Sequence, residues 1–250
     1  LRNGIRFWKW QEDVIATVYG QRAYASAAIR ERRQRILTEA LSLLIEYGPA
    51  GMTVGQLTKR AGVGTRTIYH AFGDKEGVMA HAIAAYMEQM RVAWGDLVLG
   101  ETPEAILAEC DRSMIDTLAQ PQLVRAFVGL YFTQAPRSAL CGEVDQLPVA
   151  RIRRWFAYAE RQGHLLPGLD MEFFVRRHVD ADFAILNRWT RDELTDAELP
   201  RVYRMNFLAT AISVVKGVER DRLVRLIEAE ETASGMVTGD QIHAPRSSKG

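Results

Sequence analysis

Cysteine is nearly absent from this chain of 250 residues: Cys110 and Cys141 are the only two, and they form neither a CxxC pair nor part of a Cys/His cluster. That argues against a disulfide framework or a structural zinc site and fits a reducing cytoplasm. No apolar run approaches the ~18 residues that a membrane span needs. Leu1–Trp10 carries Arg2, Arg6 and Lys9 without an apolar stretch behind them, which does not read as a signal peptide. A GxSxG elbow, an HExxH pair, a Walker loop and a Rossmann glycine run are all lacking. Asp180 and Asp182 stand two apart, on different faces of a helix, and make no evident carboxylate pair. The expectation is therefore a cytoplasmic protein that is not an enzyme, needs no cofactor or metal, and does not engage a membrane. A catalytic centre assembled from distant residues is the alternative that spacing leaves open.

Charge is scarce in net terms, at +1, but unevenly spread. Residues 1–75 hold 12 Lys/Arg against 6 Asp/Glu, and residues 76–250 hold 20 against 25. A basic N-terminal part on a mildly acidic body fits a small nucleic-acid reader joined to a larger non-reading domain. A solvated charged face explains the same balance equally well.

Sustained strand alternation is missing too, and the helical period dominates. Between Ile29 and Tyr47, the residues Ile36, Leu37, Ala40, Leu41, Leu43 and Leu44 recur at spacings of three and four, and Gly48-Pro49 ends the run. Thr53 caps a segment Val54–Ala61 that Gly62 closes, and a further short segment covers Thr65–Phe72. Asp74 caps a long helix reaching towards Leu99. Further helices are expected at about 103–119, 122–135, 148–163, 171–194, 197–217 and 219–231, with Gly or Pro at the breaks, Pro148 among them. The fold class is all-α. Its domains read as a loosely ordered extension over 1–28, a three-helix DNA-binding domain over 29–75, a larger helical regulatory and dimerisation domain over 76–231, and a disordered tail over 232–250, rich in Ser, Gly, Pro and Lys from 234 onward.

Residues 53–75 carry the functional signal. A DNA-reading helix must be short, exposed and rigidly held by a supporting helix through a tight turn, and glycine permits the backbone angles of that turn. Val54, Leu57, Ala61, Val63 and Ile68 are the expected core pins around Ala61-Gly62-Val63-Gly64. Thr65, Arg66, Thr67, Tyr69 and His70 remain to point outward. Residues at the start of a recognition helix face base edges in the major groove, and arginine can bond a guanine edge with two donors, so Arg66 is the candidate base reader. Tyr69 and Lys75 suit phosphates, which position the module without specifying sequence. The same glycines could instead make a plain helical turn inside a bundle, with Tyr69 an amphipathic core residue.

The stretch RILTEALSLLIEYGPAGMTVGQLTKRAGVGTRTIYHAFGDKEGVMAHAI, from Arg35 to Ile83, resembles the DNA-binding domain of the TetR family of bacterial regulators. The ordered set carries the resemblance: a first helix ending in Gly48, Thr53 before the second, Ala61-Gly62-Val63, Thr67-Ile68-Tyr69, Phe72 and Lys75-Glu76. It implies that Thr53, Tyr69 and Lys75 touch the phosphate backbone, and that Thr65, Arg66, Thr67 and His70 set the operator sequence. The chain departs from the pattern at Gly64, where the family usually has a capping serine, so Thr65 is expected to take over the cap. Arg66 replaces a residue that is commonly small. Gly55 weakens the second helix by about 0.5–1 kcal/mol relative to alanine. The basic cluster Arg30, Arg32, Arg33 and Arg35 either adds phosphate contacts or is a solvated helix start.

For the remainder the resemblance implies only a helical body with a dimer interface and a ligand pocket. The function implied is that of a dimeric repressor on double-stranded DNA with a palindromic operator, released by a small-molecule effector. The last two long helices, 171–194 and 197–217, are the expected homodimer surface, the second through Phe207-Leu208, Ala211-Ile212 and Val214-Val215, or else that helix is buried in its own subunit. Trp94, Cys110, Phe127 and Tyr131, with Phe132, Trp155, Tyr158 and His178, are available to a pocket or to plain core, so the ligand-binding residues stay unknown.

Overall fold

The computed structural model describes residues 27–95, 100–133 and 139–241. Expectations for 1–26, including the loosely ordered extension, and for 242–250 lie outside them. Ten helices occur among the described residues: α1 (Ala27–Gly51), α2 (Val54–Ala61), α3 (Thr65–Phe72), α4 (Lys75–Trp94), α5 (Pro103–Ala119), α6 (Pro121–Thr133), α7 (Ala139–Arg161), α8 (Met171–Thr190), α9 (Leu199–Val214) and α10 (Gly217–Gln241). They contain no strand, only an isolated bridge between Leu165 and Val215. The chain divides into two compact units between Ala85 and Tyr86, within α4.

In the first unit α1 packs on α2, and α2 on α3. Gly48 takes φ 69°, ψ 176°, which interrupts α1 just before Pro49, where the sequence places the stop. Eight-residue helices such as α2 and α3 are too short to persist alone in water, so caps and packing must hold them. Thr53 and Gln56 form a reciprocal capping box at the start of α2, the backbone N–H of Thr53 reaching Gln56 Oε1 at 2.7 Å and that of Gln56 reaching Thr53 Oγ1 at 3.2 Å. Such a cap contributes about 1 kcal/mol. Gly62 ends α2 at φ 63°, ψ 42°, the left-handed region where a side chain is disfavoured. Leu57, Ala61, Ile68 and Phe72 are buried with Ile36, Leu43 and Leu44 of α1 and Val78, Met79 and Ile83 of α4, whereas Val54 and Val63 are only half-buried. Asp74 caps α4, its Oδ1 accepting from the Gly77 N–H at 2.7 Å.

In the second unit α9 lies at the centre, against α5, α8 and α10, while α8 packs on α6 and α7. Three sequence expectations shift. The helix expected from 148 begins at Ala139, with Pro148 inside it, so the proline costs a backbone hydrogen bond without starting a new element. Helix α10 continues to Gln241, through residues expected to form a tail, because extending an existing helix is far cheaper than nucleating one. Finally, Phe207, Leu208, Ala211 and Val214 are wholly buried in their own unit, not presented to a second copy. Ile212, also expected at that surface, is half-buried, and Val202, Met205, Ala209 and Ser213 are among the other α9 residues left at least partly exposed.

Candidate DNA-reading site and effector cavity

Helix α3 buries one side and exposes the other. Ile68 and Phe72, one helical turn apart, are its buried anchors. Thr65, Arg66, Tyr69 and His70 are exposed, and Thr67 is half-buried. The side chains of Arg66 and His70 make no hydrogen bond or ion pair with the described residues, and Tyr69 is 50% exposed, which removes the core reading of that residue. Four polar side chains on one solvent face of a short, anchored helix are what groove reading requires.

The cap expected from Thr65 does not form. Gly64 is the N-cap of α3 and no side chain caps it, while Thr65 is already the first helical residue. A residue in that position has its hydroxyl outside the reach of the N2 and N3 amides that a cap satisfies. The backbone supplies part of the closure, with the Thr67 N–H bonded to the Gly64 carbonyl at 2.9 Å.

The remaining positions serve the scaffold as well. Thr53 is exposed but engaged with Gln56. The Lys75 ammonium donates to the carbonyls of Pro49 at 3.0 Å and Met52 at 3.4 Å, tying the turn between α1 and α2 to the start of α4. Two arginines of the basic cluster do likewise. Arg35 Nε donates to the Ala61 carbonyl at 2.8 Å, and Arg33 Nη1 to the Ala71 carbonyl at 3.4 Å with its guanidinium 4.5 Å from the centre of the Phe72 ring. Each places a cation at the C-terminal end of a short helix, where carbonyls are unsatisfied and the helix dipole is negative. Partners 26 and 38 positions away leave no local signature in the sequence.

The body holds a cavity with about 770 Å³ of empty space, its open mouth included. Its wall is mostly apolar, with Met90, Trp94, Val124, Phe127, Leu147 and Leu186 prominent. Of the eight candidates offered by the sequence, Trp94 and Phe127 line it. Cys110, Trp155 and His178 are buried elsewhere, Tyr131 stacks on Phe183 with ring centres 3.8 Å apart, Tyr158 is half-buried, and Phe132 is exposed. Burial pushes the Cys110 thiol up to about 12, which leaves it an inert core group.

Polar groups meet at one end of that wall. Arg151 Nη2 donates to Asp182 Oδ2 at 2.9 Å and to the Tyr203 hydroxyl at 2.8 Å. Asn206 Nδ2 donates to Asp182 Oδ1 at 2.7 Å. Burial works against the Arg151 charge, but neighbours including Asp182 and Glu109 outweigh it and hold the guanidinium firmly protonated. Burial also keeps the Tyr203 phenol protonated. Elsewhere on the wall Asp116 accepts from Trp94 Nε1 at 2.6 Å and pairs with Arg112 at 3.3 Å. No group of three or more His, Cys, Asp or Glu among the described residues could hold a metal ion, and no helix there is long and apolar enough to cross a membrane.

Comparison with known proteins finds relatives of the segment that holds α1 to α3. The family model of bacterial regulatory proteins, tetR family, matches residues 36–82. Over 139 residues the chain is 31% identical to the HTH-type transcriptional repressor KstR of Rhodococcus jostii (strain RHA1), a match covering 54% of this chain and 62% of that protein. Its fold is shared with SmeT, repressor of the Stenotrophomonas maltophilia multidrug efflux pump SmeDEF, at a TM-score of 0.56 and 20% identity over 75% of this chain and 92% of that one. It is shared too with FadR from Bacillus subtilis, solved in complex with stearoyl-CoA, at a TM-score of 0.52 and 18% identity over 69% and 96% of the two chains. The segment Ile36–Ala82 thus matches the TetR family of bacterial regulators, and the chain shares the all-helical fold of these solved structures.

Proposed function

We propose that the chain is a homodimeric, sequence-specific DNA-binding repressor, acting in the cytoplasm and released from a palindromic operator by a small molecule. The observation that carries this is α3, whose exposed face offers Thr65, Arg66, Tyr69 and His70 around two buried anchors. In this reading Arg66 bonds a guanine edge, Thr65, Thr67 and His70 tune neighbouring positions, and Thr53, Tyr69 and Lys75 contact phosphates. The name of the 31%-identical relative supports repression rather than activation.

A single reading helix discriminates weakly, and pairing two of them doubles the site. The partly exposed stripe Val202, Met205, Ala209 and Ser213 of α9 suits close approach of a second copy, since Ala209 and Ser213 are small and Met205 is flexible. Two readers must match a groove spacing of ~34–36 Å. An effector that binds the body more tightly when the readers are out of that spacing weakens DNA binding by its differential affinity.

Selection of bound duplexes from a random library tests the reading directly. Arg66→Ala should relax preference at one base-pair position in each half-site. Lys75→Ala should weaken all sequences alike and reduce the slope of affinity against salt by about one. An unchanged sequence profile for Arg66→Ala removes it as the base reader, and failure to enrich any sequence removes the function.

A further inference from the structure

The cavity of the body has a chemistry that narrows what it can take, granted that it is the effector site of the function proposed above. Every formal charge reaching its wall already has an opposite partner within the protein: Arg151 with Asp182 at 2.9 Å, and Asp116 with Arg112 at 3.3 Å. Arg151 and Asp182 are 2% and 1% exposed, so neither is neutralised by solvent. A charged ligand entering here would bring a charge with no counterpart, or would have to break one of these pairs and strand its partner. Burying an unpaired charge is strongly unfavourable even after relaxation.

One polar capacity is nonetheless unspent. Both hydrogen bonds to Asp182 and Tyr203 leave from Arg151 Nη2, and Arg151 Nε is buried with no hydrogen-bond partner among the described residues. A buried donor without an acceptor is a standing cost that an oxygen lone pair would relieve. The rest of the wall, from Met90 and Trp94 across to Leu147 and Leu186, offers carbon surface.

We infer that the cavity takes an uncharged, predominantly apolar molecule bearing one oxygen acceptor, a hydroxyl or carbonyl, seated at the Arg151 end. Carboxylates, phosphate esters and cations are disfavoured by the pairing of the wall charges. The acceptor engages a guanidinium that Asp182 and Tyr203 already hold in place, so little side-chain ordering is needed on binding.

The test is calorimetric titration of the full chain at neutral pH with four probes of one shape: 2-naphthol, naphthalene, naphthalene-2-carboxylate and 2-(aminomethyl)naphthalene. The expected order has 2-naphthol tightest, naphthalene weaker by up to about tenfold for the missing hydrogen bond, and both charged probes at least about tenfold weaker than naphthol. Met90→Trp, which fills the cavity from a half-buried wall position, should abolish naphthol binding, with circular dichroism verifying the helical fold. The inference is overturned if the carboxylate or the ammonium binds as well as naphthol, if naphthalene matches naphthol, if no probe binds, or if Met90→Trp binds naphthol unchanged. Duplex binding measured on the same samples keeps the two readings apart. Naphthol bound in the expected order without release of the selected duplex upholds the cavity chemistry and defeats ligand control of DNA. Duplex binding with no probe bound overturns the cavity inference and leaves the DNA-reading function standing.

Discussion

Arg66 and Arg151 are both helical arginines, yet the first stands in solvent without a partner among the described residues while the second is 2% exposed and bound to Asp182 and Tyr203. The contrast extends through their units. The reading unit buries apolar anchors and turns its polar side chains outward, where a polyanion can meet them. The body turns polar side chains inward and closes them on one another: Arg151, Asp182, Asn206, His178 and Thr210 form a connected set across α7, α8 and α9. A site for a macromolecule is thus left open and its specificity deferred to the partner, whereas at the small-molecule site the charges are paired beforehand and Arg151 Nε is left to take an acceptor.

The sharpest way to break that contrast is to remove each arginine. Arg151→Met strands the buried Asp182 carboxylate and should cost about 3–5 kcal/mol in urea unfolding. Arg66→Ala should change stability by less than ~0.5 kcal/mol while altering DNA selection. The double replacement Arg151→Met with Asp182→Leu should recover part of the loss, because an apolar pair of similar volume removes the stranded charge, while Tyr203 and Asn206 still lose a hydrogen-bond partner. Equal stability of Arg151→Met and Arg66→Ala would erase the distinction between the units.

A smaller effect tests how rigidly the reader is set on α4. A Cβ at Gly77 would lie 2.1 Å from the Phe72 carbonyl oxygen, the last residue of α3. That atom is backbone and cannot swing aside, so Gly77→Ala must displace the end of the reading helix. We expect a loss of about 1–3 kcal/mol, the range for overpacking, together with weaker DNA binding at every sequence. A stable Gly77→Ala variant that binds DNA normally would mean that the position of α3 is not fixed by this contact. Smaller again is Arg35→Gln, which removes the tie to the Ala61 carbonyl from an exposed side chain. About 1 kcal/mol is expected, with uniform loss across DNA sequences and no change in preference.

These residues also mark where the sequence is legible. Thr53, Gly62, Ile68, Phe72 and Asp74 lie within one short stretch, and caps, turns and helical spacing are local rules, so the reader is visible without coordinates. Gly64 and Thr65 show the limit even there, since whether a hydroxyl caps depends on which residue opens the helix. Arg33 and Arg35 form a basic cluster on paper, yet their hydrogen bonds go to residues 38 and 26 positions away. The cavity is further removed: Arg151 meets Asp182 and Tyr203 over separations of 31 and 52 residues, and nothing in the local pattern of α7 distinguishes it from Arg153 or Arg154. The apolar surface of α9 carried the wrong message because burial within a protomer and burial between protomers select the same residues.

The smallest expected effect is a pH dependence that separates buried from exposed histidines. His178 is almost fully buried; its Nδ1 faces Asn206 Nδ2 and Thr210 Oγ1, each at 3.3 Å, and its Nε2 has no hydrogen-bond partner among the described residues, 3.6 Å from Asp182 Oδ2. Burial lowers its pKa below the ordinary 6.5, with Arg151 and Arg177 adding to that and Asp182 opposing it. His81, half-buried in the other unit and bonded to the Gly77 carbonyl at 2.7 Å, is lowered by burial as well. In both cases the unfolded chain takes up the proton first as pH falls. The stabilisation is therefore complete above 6.5 and is lost as pH drops below that value towards the depressed folded pKa. Burial raises the pKa of Glu109 above its ordinary 4.5, which has the opposite sign and gains stability as the solution becomes more acidic still, so the histidine signal is cleanest between these two ranges. Thermal unfolding should accordingly show a Tm that is level above about pH 7 and declines below about 6.5. His178→Gln should flatten the decline, whereas His70→Gln, on the exposed face of α3, should leave it intact and affect only DNA selection. A decline that survives removal of both His178 and His81 would assign the acid sensitivity to groups other than the buried imidazoles.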